Sequence, residues 1–155
     1  GVDWLGGHGE PEEGMESYSR LLQRIDTVVM GWNTYHQVVT ELSPDQWVYG
    51  GLHTYVITHR PLPSTADITF TAEDPCALIQ RLRREHGKAI WICGGGRTVQ
   101  TLVEADLIDQ YHISVLPILL GSGIRLFGTL TDRRWLRLAD TRAGGGIAEL
   151  VCIRP

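Results

Sequence analysis

Ala89-Ile90-Trp91-Ile92-Cys93-Gly94-Gly95-Gly96-Arg97-Thr98-Val99 is the stretch that decides the fold. Its five leading apolar residues read as a buried strand, and Val99, Leu102, Val103 and Leu107 recur at the spacing of one helix face. Between them stand three consecutive glycines, which let backbone N–H groups approach an anion with no Cβ in the way. The first turn of the helix adds unpaired N–H groups and a dipole that favours phosphate. Thr98 supplies a hydroxyl and Arg97 a positive charge. Val99 holds the last position of G-x-G-x-x-G, so the full dinucleotide fingerprint is not met. A tight turn that binds nothing is the competing reading, and three glycines in succession favour the phosphate site over it.

The same grammar occurs earlier in the chain. Thr27-Val28-Val29-Met30 reads as a buried strand and Gly31 as a turn; Trp32-Asn33-Thr34 then opens a helix with Tyr35, Val38, Val39 and Leu42 on one face. Asn33 and Thr34 suit either a helix cap or a phosphate contact. Together the two repeats predict helix N-termini at one edge of a sheet, a two-sided clamp for a pyrophosphate. A third segment, Thr58-His59-Arg60, follows the strand read over 53–58. A hydroxyl with two potentially cationic side chains suits a phosphate monoester such as the 2′-phosphate of NADP, and equally a solvated turn.

Working outward, residues 1–14 read as a Gly/Glu-rich loop in which Trp4 and Leu5 are the large apolar residues. Met15, Tyr18, Leu21, Leu22 and Ile25 predict a helix ended by Asp26, and Ser43-Pro44 stops the second helix. A short strand is read at 66–70. Asp74 is the N-cap of a helix with Pro75 at its first position, Leu78, Ile79 and Leu82 inward and Gly87 at its C-terminal cap. After Asp109 the texture turns to β. A long run extends from Gln110 to Leu120 with Pro117 marking a bulge or edge, and 134–141 and 147–153 form an antiparallel pair around Gly144-Gly145-Gly146. The fold predicted is α/β: a mixed, mostly parallel central sheet with helices on both faces and C-terminal antiparallel strands, in a single domain spanning 1–155.

The bulk numbers narrow the function. A chain of 155 residues fits one domain, and such a domain buries about 70% of the surface its unfolded chain exposes. The net charge is −4 and the pI about 5.8, with no basic stripe for a nucleic acid. Cys76, Cys93 and Cys152 lack CxxC spacing, which argues against a disulfide framework or zinc site and for reduced thiols in a cytoplasmic protein. Cys93 and Cys152 lie in apolar runs and read as core, although Cys93 also ends a strand beside the glycines. The histidines show no metal-ligand spacing. No GxSxG elbow supports a serine hydrolase, and no apolar run reaches a membrane span.

VVMG-x-N-T-Y, YVIT, WICGGGRTVQTL and DLIDQYHISVLPILLGSGIRLF, in that order and spacing, resemble the dihydrofolate reductase-like superfamily. Within it the chain is most similar to the C-terminal reductase domain of the bifunctional riboflavin-biosynthesis deaminase-reductases. The resemblance runs from about Asp3 to the end. It implies the dihydrofolate reductase-like fold, NADPH as cofactor and hydride transfer to a small heterocyclic or carbonyl substrate. It places Gly31, Asn33 and Thr34 at the first phosphate-binding helix start, with Trp32 where the family usually carries arginine. It places Thr58, His59 and Arg60 at the 2′-phosphate, and Gly94, Gly95, Gly96, Arg97, Thr98 and Val99 at the pyrophosphate, beside Cys93. Trp4-Leu5 resembles the loop that closes over the nicotinamide. Trp4 and Tyr111 are the expected substrate-side walls, and a homodimer is implied. Met15 falls near the position where dihydrofolate reductases carry an acidic residue, so folate is not the implied substrate. The family's first strand, which precedes the DWL segment, is absent, so the sequence is expected to begin after an omitted segment. A nucleotide-binding or regulatory dimer domain that kept the clamp without the chemistry is the alternative function.

Overall fold

The computed structural model describes residues 11–85 and 87–155, with side chains from Tyr18 onward; the expectations at Trp4 and Leu5, and for the side chain of Met15, lie outside the described residues. The element order is α1 (Pro11–Arg24), β1 (Ile25–Gly31), α2 (Trp32–Gln37), a π-helical turn (Val38–Leu42), β2 (His53–Ile57), β3 (Ile68–Thr71), α3 (Pro75–Leu82), β4 (Ala89–Gly94), α4 (Gly96–Glu104), β5 (Gln110–Val115), β6 (Arg137–Gly144) and β7 (Ile147–Ile153). The described chain divides into two compact units, one built on Leu22–Leu107 with Leu126–Thr129, the other on Ile108–Arg125 and Leu130–Pro155.

The first of these units carries a four-stranded sheet in the order β3-β2-β1-β4, every neighbour parallel. Parallel strands need crossovers, and right-handed crossovers put helices on the sheet faces. The path β1–α2–β2 moves one way across the sheet and β3–α3–β4 moves back, so α2 and α3 cover opposite faces. Cys76 of α3 lies against Thr101 of α4, Sγ to carbonyl oxygen 4.0 Å, which sets those two helices side by side. The core is the run Val28, Val29 and Met30 of β1 with Val56 of β2, Leu78 of α3 and Leu102 of α4, all fully or almost fully buried. Gln100 ties the segment returning at 126–129 onto α4: its Oε1 accepts from Gly128 N (2.8 Å) and its Nε2 donates to Thr129 O (2.9 Å).

The second unit is a three-stranded antiparallel sheet in the order β5-β7-β6. The predicted closing hairpin is there. Gly145 and Gly146 both have positive φ, 57° and 75°, the geometry of a type I′ turn that glycine adopts without steric cost.

Several local expectations needed revision. Ile25 was expected as the last inward residue of the first helix; it opens β1 and is buried there, because an apolar residue beside a strand joins the sheet where the backbone gains ladder hydrogen bonds. The second helix changes to π at Val38, which rotates its end and leaves Leu42 61% exposed. Gly87 does not cap α3: the helix ends at Leu82 with Arg83 as its C-cap, and Gly87 lies against the Asp26 carboxylate. The run expected to reach Leu120 stops as a strand at Val115. The segment around Pro117 instead makes a tight turn, Ile118 N donating to Leu116 O at 2.8 Å. The cap at Asp74 is as expected, its Oδ2 accepting from Ala77 N at 3.0 Å.

Candidate cofactor site

The C-terminal ends of β1 and β4 are neighbours in the sheet, with Met30 paired to Gly94. Each strand passes directly into a helix, α2 after Gly31 and α4 after Gly95. The two helix starts therefore lie side by side at the carboxyl edge of a parallel sheet, where ligands of such folds sit. The approach is close enough to demand glycine. A Cβ on Gly31 would lie 3.2 Å from Thr98 Oγ1 and 3.7 Å from Gly95 N; one on Gly94 or Gly95 would lie 3.3 or 3.2 Å from Thr34 Oγ1. Gly94 also has φ 126°, a conformation side chains rarely adopt, and its peptide bond to Gly95 is cis. Gly96, by contrast, faces open space. The expectation that the two helix starts share one edge of the sheet is met, with Gly31, Thr34, Gly94, Gly95 and Thr98 in close approach there.

The N-caps of both helices are glycines, and neither receives a side-chain cap hydrogen bond. The leading N–H groups of α2 and α4 therefore have no side-chain acceptor at the cap, the arrangement that accommodates an anionic oxygen. Thr98 is buried in the first turn of α4 and Arg97 beside it is exposed. Asn33 is exposed on α2, and Val99 is half-buried, its N donating to Gly95 O at 3.1 Å.

Thr58 follows β2 directly and is buried, with His59 and Arg60 exposed beyond it. Arg60 N donates to Thr58 Oγ1 at 3.1 Å, which folds the segment into a local side-chain turn. Because Ile57 pairs with Gly31, this segment emerges next to the start of α2. The Arg60 guanidinium carbon sits 4.6 Å from the centroid of the Trp32 ring.

Cys93 occupies a register irregularity: Val29 pairs with Ile92 but Met30 with Gly94, so Cys93 is the extra residue of a bulge. It is half-buried, not a full core residue, and its Sγ lies 3.4 Å from the Tyr49 hydroxyl. Burial pushes its thiol pKa up, more than the Tyr49 hydrogen bond brings it down. At neutral pH the thiol stays protonated and unreactive. Iodoacetamide at pH 8 is expected to label Cys93 on the order of tenfold more slowly in the folded chain than in urea, read by mass spectrometry of the peptide; equal rates would show a thiol neither shielded nor raised in pKa.

The sequence reading missed an aromatic run alongside this site. Trp32–Tyr35, Tyr35–Trp47, Trp47–Tyr49 and Tyr49–Trp91 follow one another with ring centroids 5.6, 5.8, 5.2 and 5.6 Å apart. The local signal was Trp47-Val48-Tyr49, two large rings in a Gly/Pro-bounded loop; their link to Trp91 is a long-range contact that no local pattern encodes. Tyr111, expected at the substrate, is buried in β5 of the other unit, paired with Cys152.

Comparison with known proteins shows the family. The RibD C-terminal domain family matches residues 10–147. The uncharacterized Bacillus subtilis (strain 168) protein YwjB is 39% identical over 99% of this chain and 86% of its own length. A second uncharacterized protein of that organism, YyaP, is 24% identical over 97% and 82%. Among solved structures, a Shewanella sp. PV-4 protein provisionally named for riboflavin biosynthesis superposes with a TM-score of 0.83 at 28% identity, covering 99% of this chain and 87% of that one. Acinetobacter baumannii RibD shares the fold at a TM-score of 0.69 and 15% identity, this chain spanning 52% of its length. Among the described residues no helix is long and apolar enough to cross a membrane.

Proposed function

Because the chain belongs to the RibD C-terminal domain family, whose fold is reductase-like, we propose that it is an NADPH-dependent reductase that delivers hydride to a small heterocyclic or carbonyl substrate. The observation that carries this reading is the pair of uncapped helix N-termini held against each other by Gly31, Gly94 and Gly95. A pyrophosphate fits such a cradle: the N–H groups donate to its oxygens, and any Cβ at Gly94 or Gly95 would enter the same space.

In this reading the residues divide their work by place. The first turns of α2 and α4, with Thr34 and Thr98, hold the pyrophosphate, and Arg97 offsets its charge. Thr58, His59 and Arg60 meet the adenosine 2′-phosphate, where a guanidinium makes paired, charge-assisted hydrogen bonds. The cofactor, when bound, supplies the hydride. The protonated Cys93 thiol and the Tyr49 hydroxyl beside it line the end of β4 without contributing a nucleophile. A domain that binds the nucleotide without turnover is the second reading, favoured by Trp32 in place of the usual cation.

Titration of the protein with NADPH, followed by cofactor fluorescence, is expected to saturate with a Kd below about 1 mM. The absence of saturable binding would sink the reading. NADPH oxidation with any member of a panel of pterins, pyrimidines and carbonyl compounds separates the reductase from the binding domain. Binding without turnover across the panel would leave the second reading standing.

A further inference from the structure

We propose that Trp32 is the residue that makes this site select NADPH over NADH, by holding the Arg60 guanidinium against its indole face where the cofactor's 2′-phosphate arrives. The inference rests on the reductase reading above and names the determinant of its cofactor choice.

Three observations converge on it. Arg60 lies over the Trp32 ring at 4.6 Å, within the range of a cation–π contact. The arginine is held at its other end too, its backbone N–H bonded to Thr58 Oγ1 at 3.1 Å. The indole is itself fixed on α2 by ring contacts with Tyr35 and His36, both at 5.6 Å between centroids. A long side chain that would otherwise sample many rotamers is thus arranged before any ligand binds, so less of its freedom is lost on binding.

The chemistry of the stack leaves the cation usable. A guanidinium stacks through its face and donates hydrogen bonds through its edge. A guanidinium that rests on Trp32 in this way keeps its in-plane N–H groups for a bidentate contact with a phosphate monoester. Among the described residues no carboxylate pairs with Arg60, so its charge is not already spent on an acidic partner. Trp32 opens α2 directly after Gly31, and Arg60 stands three residues past Ile57; these two strand ends are paired in adjacent parallel strands. Sheet register therefore brings the two together. NADH has no 2′-phosphate for Arg60 to meet, so losing the stack costs NADPH affinity and spares NADH.

The test compares Kd values for NADPH and NADH in the wild type, Trp32→Ala, Trp32→Phe, Trp32→Leu and Arg60→Ala, with 2′,5′-ADP and 5′-ADP as competitors. In Trp32→Ala the NADH/NADPH Kd ratio is expected to fall about tenfold while NADH affinity changes less than about threefold, since specificity is a difference of two affinities. Trp32→Phe keeps a ring face and retains most of the ratio. Arg60→Ala loses at least as much as Trp32→Ala, and the double variant loses no more than Arg60→Ala alone. If Trp32→Ala does not fold, Trp32→Leu, which keeps apolar bulk without a π face, reads the same ratio. An unchanged ratio in the variant, or equal weakening of both cofactors, overturns the role of Trp32 while leaving the reductase reading in place. Binding of neither cofactor by the wild type overturns both.

Discussion

Gly95→Val is expected to weaken NADPH binding by about ten- to a hundredfold while the protein remains folded. Gly95 has φ −78°, a conformation valine adopts readily, so the substitution does not strain the backbone. Gly94 differs: its φ of 126° would make any side chain there a folding defect first. At Gly95 the added Cβ would lie 3.2 Å from Thr34 Oγ1, and the valine methyls extend into the gap between the two helix starts. A phosphate kept from even one backbone donor loses a charge-assisted hydrogen bond of about 1.5–3 kcal/mol, and each 1.4 kcal/mol is about tenfold in affinity. Gly123→Ala is the matching control, because a Cβ there meets nothing within 4 Å. Calorimetric titration with NADPH, beside a thermal melt of each variant, reads both quantities. Wild-type affinity in Gly95→Val would make the glycines a connection and nothing more.

The largest stability effect is expected from Leu102→Ala. Leu102 is almost fully buried in α4, the helix whose first turn carries the glycines and Thr98. Removing a buried leucine side chain loses its transfer free energy and leaves a cavity, together about 2–5 kcal/mol. For a chain of this size that lowers Tm by about 4–20 °C. Urea unfolding followed by tryptophan fluorescence should show an earlier midpoint at unchanged slope. A loss under about 1 kcal/mol would mean that α4 is not packed on the sheet through this residue.

Much of the candidate site is legible in the sequence. Ala89 to Cys93 before the glycines and α4, and Thr27 to Met30 before Gly31 and α2, were both readable as strand, glycine and helix. Apolar periodicity and the steric freedom of glycine act over a few residues. Asp74-Pro75 as a helix start and the glycine hairpin at 144–146 were legible for the same reason. Errors gathered where local signals competed with the sheet. Ile25 satisfied a helical spacing but was claimed by β1. The end of the second helix widened into a π turn, and Gly87 served the Asp26 carboxylate and not α3.

By itself, then, the sequence determined that two strand–glycine–helix units exist, which residues stand at their turns, and to which family the whole pattern is similar. Only the tertiary structure decided that Thr34 closes on Gly94 and Gly95, that Thr98 closes on Gly31, that Cys93 bulges toward Tyr49, and that Arg60 rests on Trp32. The physical reason is one of range. Dihedral preference and hydrophobic period are carried by neighbours along the chain, whereas these contacts follow from strand order and register, Gly31 to Ile57 and Met30 to Gly94, which are set by how the whole sheet buries its apolar faces.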